Sequence, residues 1–313
     1  MGQALKLPLP FLLRAWFAAR HTMSQADFDS LVAPGGLDRR RFTRTALGVG
    51  IAAAAGPVVA QTAIKTPTTG LTVGEDTVDV GGFKMPVYRA APAGQRNAPV
   101  VLVISEIFGV HEHIADVANR FARAGYFAVA PELFARAGDP QSYGEVGKLI
   151  AEIIMKTPDA QVMKDLDATL AWAQSQGADV SRAAVTGFCW GGRITWLYAA
   201  HQPKIKAAVA WYGRLVGDTN PVWTSHPIDQ AARLQAPVLG LYGGKDDGIP
   251  LASVDRMKAA LAQGSAAARR SEFVVYPDAP HAFHADYRPT YRKEAAEDGW
   301  KRCLAWFKAH GAA

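Results

Sequence analysis

The feature that most constrains the fold of this chain is an alternation of short apolar runs with longer segments whose apolar residues recur at helical spacing. Residues 99–104 (PVVLVI) form a nearly continuous apolar run, as in a strand buried on both faces of a sheet. Residues 159–176 carry Val162, Leu166 and Leu170 at intervals of four, which predicts an amphipathic helix. The alternation predicts an α/β fold, with a mostly parallel sheet of about seven to eight strands and helices on both faces.

The same patterns predict the positions of the other elements. Strands are predicted at residues 77–80, 83–90, 99–104, 126–130, 183–187, 207–212, 238–242 and 273–276. Helices are predicted at residues 111–124, 159–176, 191–201, 251–262 and 289–310. We expect residues 77–313 to form one domain and the polar residues 61–76, which contain Pro67 and Gly70, to be a linker.

The first sixty residues differ from the rest of the chain. Residues 39–44 (RRRFTR) precede a short apolar stretch, 46–60, which suits a signal sequence better than a membrane span of about 20 residues. The paired arginines, the phenylalanine and the basic residue after it resemble a twin-arginine export signal. We therefore expect residues 1–60 to be a signal segment that is cleaved after Ala60, with Met23 as a candidate true start. The alternative is a cytoplasmic protein with an apolar N-terminal helix.

A twin-arginine signal implies a protein that folds before the twin-arginine export machinery carries it. We therefore expect a periplasmic or otherwise exported protein with no membrane span in its mature part. The net charge of +6 is concentrated in the signal segment, because residues 1–60 carry seven basic and three acidic residues and the rest carries 27 and 25. No basic patch remains for a nucleic acid, and we expect a small molecule as the partner.

No sequence pattern indicates a cofactor or a metal. The chain has no G-x-G-x-x-G motif after a predicted strand, and its two cysteines form no C-x-x-C pair. His111 and His113 are two residues apart, so on a helix they would face different sides. We therefore expect neither a cofactor nor a metal site.

Residues 183–193 (AAVTGFCWGGR) carry the most chemical information. A predicted strand runs into residues 187–191 (GFCWG) and a helical pattern follows at once, which is the nucleophile elbow G-x-S-x-G with cysteine in place of serine. The flanking glycines permit the tight turn, and the helix dipole favours a thiolate at Cys189. The backbone N–H of Trp190 would point toward an oxyanion on a bound carbonyl. The alternative is an inert, buried cysteine.

The acid and base that such an elbow requires lie downstream, in the order Cys, Asp, His of the α/β-hydrolase fold. Asp246 and Asp247 follow the predicted strand at 238–242, and His281 and His284 follow the last strand. His281 would take the thiol proton and later activate water, while an aspartate fixes its tautomer. The residues alone leave two choices open, between the two aspartates and between the two histidines.

The loop after the buried strand at 99–104 supplies the third part of the site. In an α/β-hydrolase this loop provides the second oxyanion N–H, for which Ile107 is the candidate. Glu106 lies where a carboxylate could contact the cysteine and accept its proton. The alternative for Glu106 is an exposed acid at the start of a helix.

These segments together resemble the dienelactone hydrolase (carboxymethylenebutenolidase) family, from about residue 77 to the C-terminus. The resemblance rests on residues 106–109 (EIFG), 187–192 (GFCWGG), 243–246 (GGKD) and 281–283 (HAF). It implies the opening of an enol-lactone through a Cys-Asp-His triad and a thioester acyl-enzyme. Cys189 would be the nucleophile and His281 the base. Asp246 would orient His281, and Glu106 would activate the cysteine.

The resemblance departs from the family at the substrate pocket. In the best-known members two arginines hold the carboxylate of the lactone, but the position four residues after His281 is Ala285. Arg288 could replace that arginine only if its loop folds back, and Arg136 is the nearest candidate for the other. Tyr212, after the strand that follows the elbow helix, is a further candidate for the pocket. Ester or lactone chemistry remains the expectation, with dienelactone itself an open choice of substrate.

The sequence therefore predicts a hydrolase of small carboxylic esters or enol-lactones. One alternative is a general carboxylesterase with a different substrate. Another is a non-catalytic exported binding protein, which the fold alone does not separate from an enzyme. We do not expect a disulfide between the two cysteines, because Cys303 lies on the packing face of the last helix.

Overall fold

The computed structural model describes residues 63–313, in which eight strands form one sheet with the order β1-β2-β4-β3-β5-β6-β7-β8. The strands are β1 (Leu71–Val80), β2 (Phe83–Pro92), β3 (Pro99–Ile104), β4 (Phe127–Pro131), β5 (Asp179–Phe188), β6 (Ile205–Trp211), β7 (Val238–Gly243) and β8 (Glu272–Tyr276). β2 pairs antiparallel with β1 and with β4, and all other pairs are parallel. The predicted α/β-hydrolase fold with a mostly parallel sheet is confirmed.

Helices cover both faces of the sheet. They are α1 (Glu112–Arg123), α2 (Val146–Glu152), α3 (Asp159–Ser175), α4 (Trp190–His201), α5 (Pro227–Gln230), α6 (Leu251–Ala262), α7 (Ala266–Arg269) and α8 (Lys293–Ala309). α1 packs against α8 through Phe121 and Trp300, whose ring centroids are 4.4 Å apart. α3 and α4 are joined where the hydroxyl of Tyr198 donates to Asp167 at 3.1 Å.

The central strands are buried because helices cover them on both sides. All six residues of β3 are buried, in agreement with its continuous apolar sequence. Trp196, Trp211, Phe188 and Phe307 are among the largest fully buried side chains of the core. Full burial of one apolar side chain contributes roughly 1.5–3 kcal/mol, so these residues hold the layers together.

The edge strand β1 begins earlier than predicted. It starts at Leu71, so the last six residues of the expected linker at residues 61–76 belong to the sheet. The cause is pairing with β2, in which Leu71 lies opposite Pro92 and Asp76 lies opposite Val87. Such cross-strand pairing outweighs the polar composition that indicated a linker.

Several N-terminal predictions lie outside the described residues, namely the twin-arginine signal at 1–60, the start at Met23 and the cleavage after Ala60. Within residues 63–313, no helix is both long and apolar enough to cross a membrane. Cys189 and Cys303 are both unpaired thiols. Burial raises the pKa of the Cys303 thiol well above its ordinary value, which makes that thiol unreactive.

The parallel strands bring their carboxyl ends to one edge of the sheet. The segments that follow β3, β5, β6, β7 and β8 at this edge carry, in turn, Glu106, Cys189, Tyr212, Asp246 and His281. Open α/β sheets bind their ligands at this edge, so the fold gathers the candidate residues where a site is expected.

Candidate active site

Cys189 occupies a sharp turn between β5 and α4. Its backbone has φ 55° and ψ −114°, a left-handed conformation that residues other than glycine rarely adopt. The turn requires glycine on both sides. A Cβ on Gly187 would overlap the carbonyl of Gly191, and a Cβ on Gly191 would overlap the carbonyls of Ile104 and Ser105. The elbow therefore packs directly against the loop that follows β3.

Backbone strain is concentrated at this edge of the sheet. Within the described residues, four residues other than glycine have a positive φ: Cys189, Tyr212, Ala282 and Asn97. The first three lie at the carboxyl edge, and Ala282 directly follows His281. Such conformations cost on the order of 1–3 kcal/mol each and cluster at functional sites. The strain thus points to the same edge as the sequence motifs, on independent grounds.

The structure brings Asp246 and His281 together. Oδ2 of Asp246 lies 2.7 Å from Nδ1 of His281, while Oδ1 accepts the backbone N–H of Gly248 at 3.0 Å. Asp247, the alternative acid, is exposed. Burial acts to lower the pKa of His281, but Asp246 and then Cys189 raise it well above its ordinary value. Because Nδ1 faces Asp246, Nε2 is the ring nitrogen that remains for the Cys189 thiol or for a substrate.

His284, the alternative base, has a different environment. Its ring is buried against Trp211 and Phe188, with centroid distances of 4.5 and 5.0 Å. Burial, followed by the nearby His113, lowers the pKa of His284 well below its ordinary value. His284 is therefore a neutral residue of the core and does not pair with Asp246.

Glu106 is buried, unlike the exposed helix-start acid that the sequence left as an alternative. Its Oε2 lies 3.1 Å from Nε2 of His111, and the two residues are only 2% and 1% exposed. Burial acts to raise the pKa of Glu106, but His111, followed by His113 and Arg288, lowers it to about 2. Glu106 is therefore an anion at every ordinary pH.

A second buried carboxylate, missed in the sequence, fixes the loop that carries Glu106. Glu132, directly after β4, accepts the backbone N–H of Val110 at 2.9 Å. Gly109 has φ 70°, and a Cβ at this position would overlap the Glu132 carboxylate. The loop is thus fixed from the neighbouring strand, and with it the positions of Glu106 and Ile107.

The prediction that His111 and His113 face different sides of a helix is wrong. Both rings are buried, and their centroids lie 6.2 Å apart. The reason is that α1 begins at Glu112, so His111 is the extended N-cap residue and the helical spacing does not apply to it. The contact between His111 and Glu106 was missed for the same reason. A buried glutamate needs a partner, and that requirement was the signal that could have found it.

The two candidates for the oxyanion hole are Trp190, in the elbow, and Ile107, in the loop after β3 that the elbow packs against. Trp190 is the first residue of α4, so its backbone N–H precedes the helical hydrogen-bonding pattern. Its indole packs on Phe134, with ring centroids 4.6 Å apart. Ile107 follows Glu106 in the loop that Glu132 fixes. The structure therefore brings both backbone segments to the edge that carries the cysteine.

Tyr212 lies within the same group of residues. Its ring meets that of His281 edge-on, with centroids 5.1 Å apart. Its hydroxyl is buried and has no hydrogen-bonded partner within residues 63–313. Burial, followed by the nearby Glu106 and Cys189, raises the pKa of the Tyr212 phenol well above its ordinary value. The phenol is therefore a neutral donor without an acceptor.

Arg288 folds back toward the site. Its Nε donates to the hydroxyl of Tyr287 at 2.8 Å, and its guanidinium lies 5.2 Å from the ring centroid of Phe108. Burial acts to lower its pKa, but Tyr287 and then Glu106 raise it, so the cation persists although only 4% of the residue is exposed. Ala285, the fourth residue after His281, is buried.

Arg136 is not brought to this group. Its Nη1 donates to both carboxylate oxygens of Asp165 on α3, at 2.7 and 2.8 Å. Its guanidinium also lies 4.2 Å from the ring centroid of Phe83. A substrate-binding role for Arg136 stays a prediction that no contact supports.

Comparisons with known proteins identify the family. A model of the dienelactone hydrolase family matches residues 85–311. A protein of Methylorubrum extorquens (strain AM1) named "Putative carboxymethylenebutenolidase" is 55% identical over 293 residues, which cover 93% of this chain and 100% of that protein. A protein of Escherichia coli (strain K12) with the same name is 51% identical over 263 residues, covering 84% of this chain and 96% of that protein.

A solved structure gives the same result. The crystal structure of a "Putative Dienelactone Hydrolase" from Klebsiella pneumoniae has a TM-score of 0.74 and 53% sequence identity, and the match covers 76% of this chain and 98% of that one. The family match and these relatives span most of the chain, including every residue of the candidate site. The chain is therefore a hydrolase, and it belongs to the dienelactone hydrolase family.

Proposed function

We propose that this protein hydrolyses small carboxylic esters or enol-lactones through a thioester on Cys189. The observation that carries the proposal is the 2.7 Å contact between Asp246 and His281, at the edge that also holds a strained cysteine between strand and helix. A nucleophile, an imidazole and an orienting carboxylate are the groups that acyl transfer requires. The name carboxymethylenebutenolidase, which the curated relatives carry, supports the choice of acyl substrate.

The first half of the reaction forms the thioester. The Cys189 thiol gives its proton to Nε2 of His281, and the sulfur bonds to the substrate carbonyl carbon. The carbonyl electrons move to oxygen, where the backbone N–H groups of Trp190 and Ile107 donate hydrogen bonds. When the carbonyl re-forms, the bond to the leaving oxygen breaks, and that oxygen takes the proton from His281.

The second half releases the acid. A water molecule gives a proton to His281 and its oxygen bonds to the thioester carbon, after which the carbon–sulfur bond breaks and the sulfur regains a proton from His281. Asp246 holds the tautomer of His281 and stabilises the imidazolium in both halves. Before the attack, Glu106, an anion at ordinary pH, orients the Cys189 thiol by accepting its hydrogen bond. As substrate enters, the thiol turns from Glu106 to His281, which takes the proton.

Arg288 is the proposed contact for a substrate carboxylate. It is a buried cation whose charge interacts with Glu106 and with Cys189, so an anionic group on the acyl substrate could be held close to the reacting carbon. Tyr212, whose hydroxyl has no partner within residues 63–313, is the proposed neutral donor in the same pocket. Enol-lactones that bear a carboxylate are therefore the preferred substrate class.

The test is a panel of enol-lactones, dienelactone and p-nitrophenyl esters assayed with wild type, Cys189→Ala and the control Cys303→Ser. Cys189→Ala should lose at least about a thousandfold in turnover, since removal of any triad member has effects of this order. Cys303→Ser should stay active, because that thiol is buried in α8. With an ester that is hydrolysed slowly, mass spectrometry of the intact wild-type protein should show the added mass of one acyl group. Wild-type rates in Cys189→Ala would overturn the mechanism, and no turnover with any member of the panel would overturn the proposed substrate class.

We also propose that residues 1–60 direct the folded protein out of the cytoplasm by the twin-arginine route. The support is the order of paired arginines, apolar stretch and small residues in that segment. Replacing Arg39 and Arg40 by lysine should leave full-length precursor in the cytoplasmic fraction. Replacing Arg14 and Arg20 is the matched control and should leave export unchanged. Equal export of both variants would contradict the proposal.

A further inference from the structure

The buried carboxylate of Glu106 depends on one neighbour for its orientation. Within residues 63–313, its Oε2 bonds to Nε2 of His111 at 3.1 Å, while Oε1 has no hydrogen-bonded partner. An ionised carboxylate that is 2% exposed is strongly destabilised unless it is paired or hydrogen-bonded. The contact with His111 therefore determines which way Glu106 points.

His111 is itself held in place. It is the extended N-cap residue of α1, and the preceding residue, Val110, is bound by Glu132 at 2.9 Å. The His111 ring meets Tyr287 edge-on, with centroids 5.4 Å apart. Its Nδ1 has no hydrogen-bonded partner in the described part of the chain, so the hydrogen bonding of this imidazole is directed to Glu106.

We propose that His111 is a positioning residue for the reaction, because it holds Oε2 of Glu106 and thereby presents Oε1 to the Cys189 thiol. His111 acts through Glu106. The inference rests on the proposed function, in which Glu106 directs that thiol.

Burial, helped by the nearby His113 and Arg288, keeps His111 a neutral donor at neutral pH. Glu106 faces it from the loop after β3, His113 from α1, and Arg288 and Tyr287 from the segment that follows β8. Burial lowers the pKa of His111, Glu106 raises it, and His113 and Arg288 add to the lowering, so that the pKa ends below its ordinary value. A neutral imidazole with its proton on Nε2 donates to Glu106, which remains the anion.

Loss of the imidazole should change Glu106 in a defined direction. Burial is the largest influence on the pKa of Glu106 and acts to raise it, and His111 is the largest opposing influence. Without His111, the carboxylate becomes protonated at higher pH or turns toward the Arg288 cation. Either change removes the acceptor that the thiol requires.

The experiment compares His111→Ala, His111→Gln and the control His201→Ala with wild type. Nε2 of His201 lies 2.8 Å from Oδ2 of Asp167, so this pair has the same two functional groups as His111 and Glu106. It is partly exposed and joins α4 to α3. His111→Ala should lose turnover by roughly tenfold to a hundredfold, as for a misplaced reacting group, with KM little changed. His111→Gln should recover part of the loss, because its amide donates from a similar position. His201→Ala should match wild type.

The pH profile separates positioning from a general loss of structure. The ratio of His111→Ala turnover to wild-type turnover should fall as pH falls, since Glu106 is protonated more readily in the variant. In a Glu106→Gln background, adding His111→Ala should have almost no further effect on turnover. Wild-type turnover in His111→Ala would overturn the proposal, and so would a full loss that persists in the Glu106→Gln background.

Three further variants distinguish a failure of the role of His111 from a failure of the proposed function. If His111→Ala fails to fold, His111→Asn takes its place, because its shorter amide cannot reach Glu106, and the comparison with His111→Gln remains. If Cys189→Ala stays active, the proposed function fails. If Cys189→Ala is inactive but Glu106→Gln has wild-type turnover, the triad stands and the role of His111 is overturned.

Discussion

Two imidazole–carboxylate pairs lie at the same edge of the sheet, and the pKa values of their histidines are moved in opposite directions. Asp246 meets His281 at 2.7 Å, and Glu106 meets His111 at 3.1 Å. The pKa of His281 is raised well above its ordinary value despite burial, mainly by Asp246. The pKa of His111 is lowered, because burial outweighs the attraction of Glu106. The same two functional groups therefore serve different purposes in one site.

The second neighbour of each histidine adds to this difference. His281 also faces Cys189, which helps to raise its pKa. His111 also faces His113 and Arg288, which help to lower its pKa. The environment, and not the pair itself, assigns each imidazole its role. One is suited to hold a proton during the reaction, and the other to orient an anion.

The largest expected effect comes from breaking the first pair. Asp246→Asn should lower kcat by about a thousandfold to ten-thousandfold, because the imidazole loses its oriented tautomer and the charge that stabilises its protonated form. Asp247→Asn, with the same change on the exposed neighbour, is the matched control and should keep wild-type kcat. Steady-state rates on p-nitrophenyl acetate decide the point. Comparable losses in both variants would contradict the assignment of Asp246.

The two pairs should also give opposite dependences of stability on pH. The pKa of Glu106 is lowered to about 2 from an ordinary value of 4.5, so its contribution is present above pH 4.5 and is lost as pH falls toward 2. The pKa of His281 is raised above an ordinary 6.5, so its contribution is present below pH 6.5 and is lost as pH rises through the folded-state value.

Urea unfolding at several pH values measures this difference. The gap in unfolding free energy between wild type and Glu106→Gln should shrink toward acid pH, and the gap for His281→Gln should shrink toward alkaline pH. A tenfold change in the acidity of a group on folding corresponds to about 1.4 kcal/mol, so the gap for Glu106→Gln should reach a few kcal/mol. If both gaps changed with pH in the same direction, the pKa values of Glu106 and His281 would not have the opposite effects on stability that we expect.

The two pairs also differ in how far the sequence predicted them. Cys189 could be predicted because the glycines that its turn requires stand in the same short segment. Asp246 and His281 followed from chain order, although the choice against Asp247 and His284 needed the structure. Their common location could be predicted because the carboxyl ends of parallel strands meet at one edge of the sheet.

The second pair could not be predicted in this way. The partner of Glu106 is an extended N-cap residue, so helical spacing gave the wrong orientation for His111. The burial of Arg288 depends on how the segment after β8 folds back, which no local pattern encodes. The start of β1 at Leu71 likewise depends on a partner strand about twenty residues away. Contacts set by distant segments were the ones that the sequence did not reveal.

Removing the cation beside the second pair should make the two histidines more alike. In Arg288→Gln the pKa of His111 should rise, because one of the charges that lowers it is gone, and ¹⁵N NMR titration of the imidazoles would detect this. The same variant should raise KM for carboxylate-bearing esters roughly tenfold, the effect of one charge-assisted hydrogen bond. Arg136→Gln, whose cation is paired with Asp165, is the control. An unchanged His111 titration in Arg288→Gln would contradict this account of the difference.

The smallest effect is expected at Tyr212, whose phenol interacts with a member of each pair. The ring centroids of Tyr212 and His281 are 5.1 Å apart. After burial, the charge of Glu106 is the next influence that raises the pKa of the Tyr212 phenol. Because the hydroxyl has no hydrogen-bonded partner within residues 63–313, Tyr212→Phe should not lower the free energy of unfolding. If the hydroxyl donates to substrate, kcat/KM should fall about threefold to tenfold.

Tyr242→Phe supplies the opposite case. Its hydroxyl is also buried, but it donates to the Gly213 carbonyl at 2.9 Å and accepts the indole N–H of Trp196 at 3.1 Å. Loss of this hydroxyl should lower the free energy of unfolding by about 1–3 kcal/mol and leave kcat/KM near wild type. Activity lost without stability in Tyr212→Phe, and stability lost without activity in Tyr242→Phe, would assign the unpartnered phenol to the substrate. A loss of stability in both would place Tyr212 in the core instead.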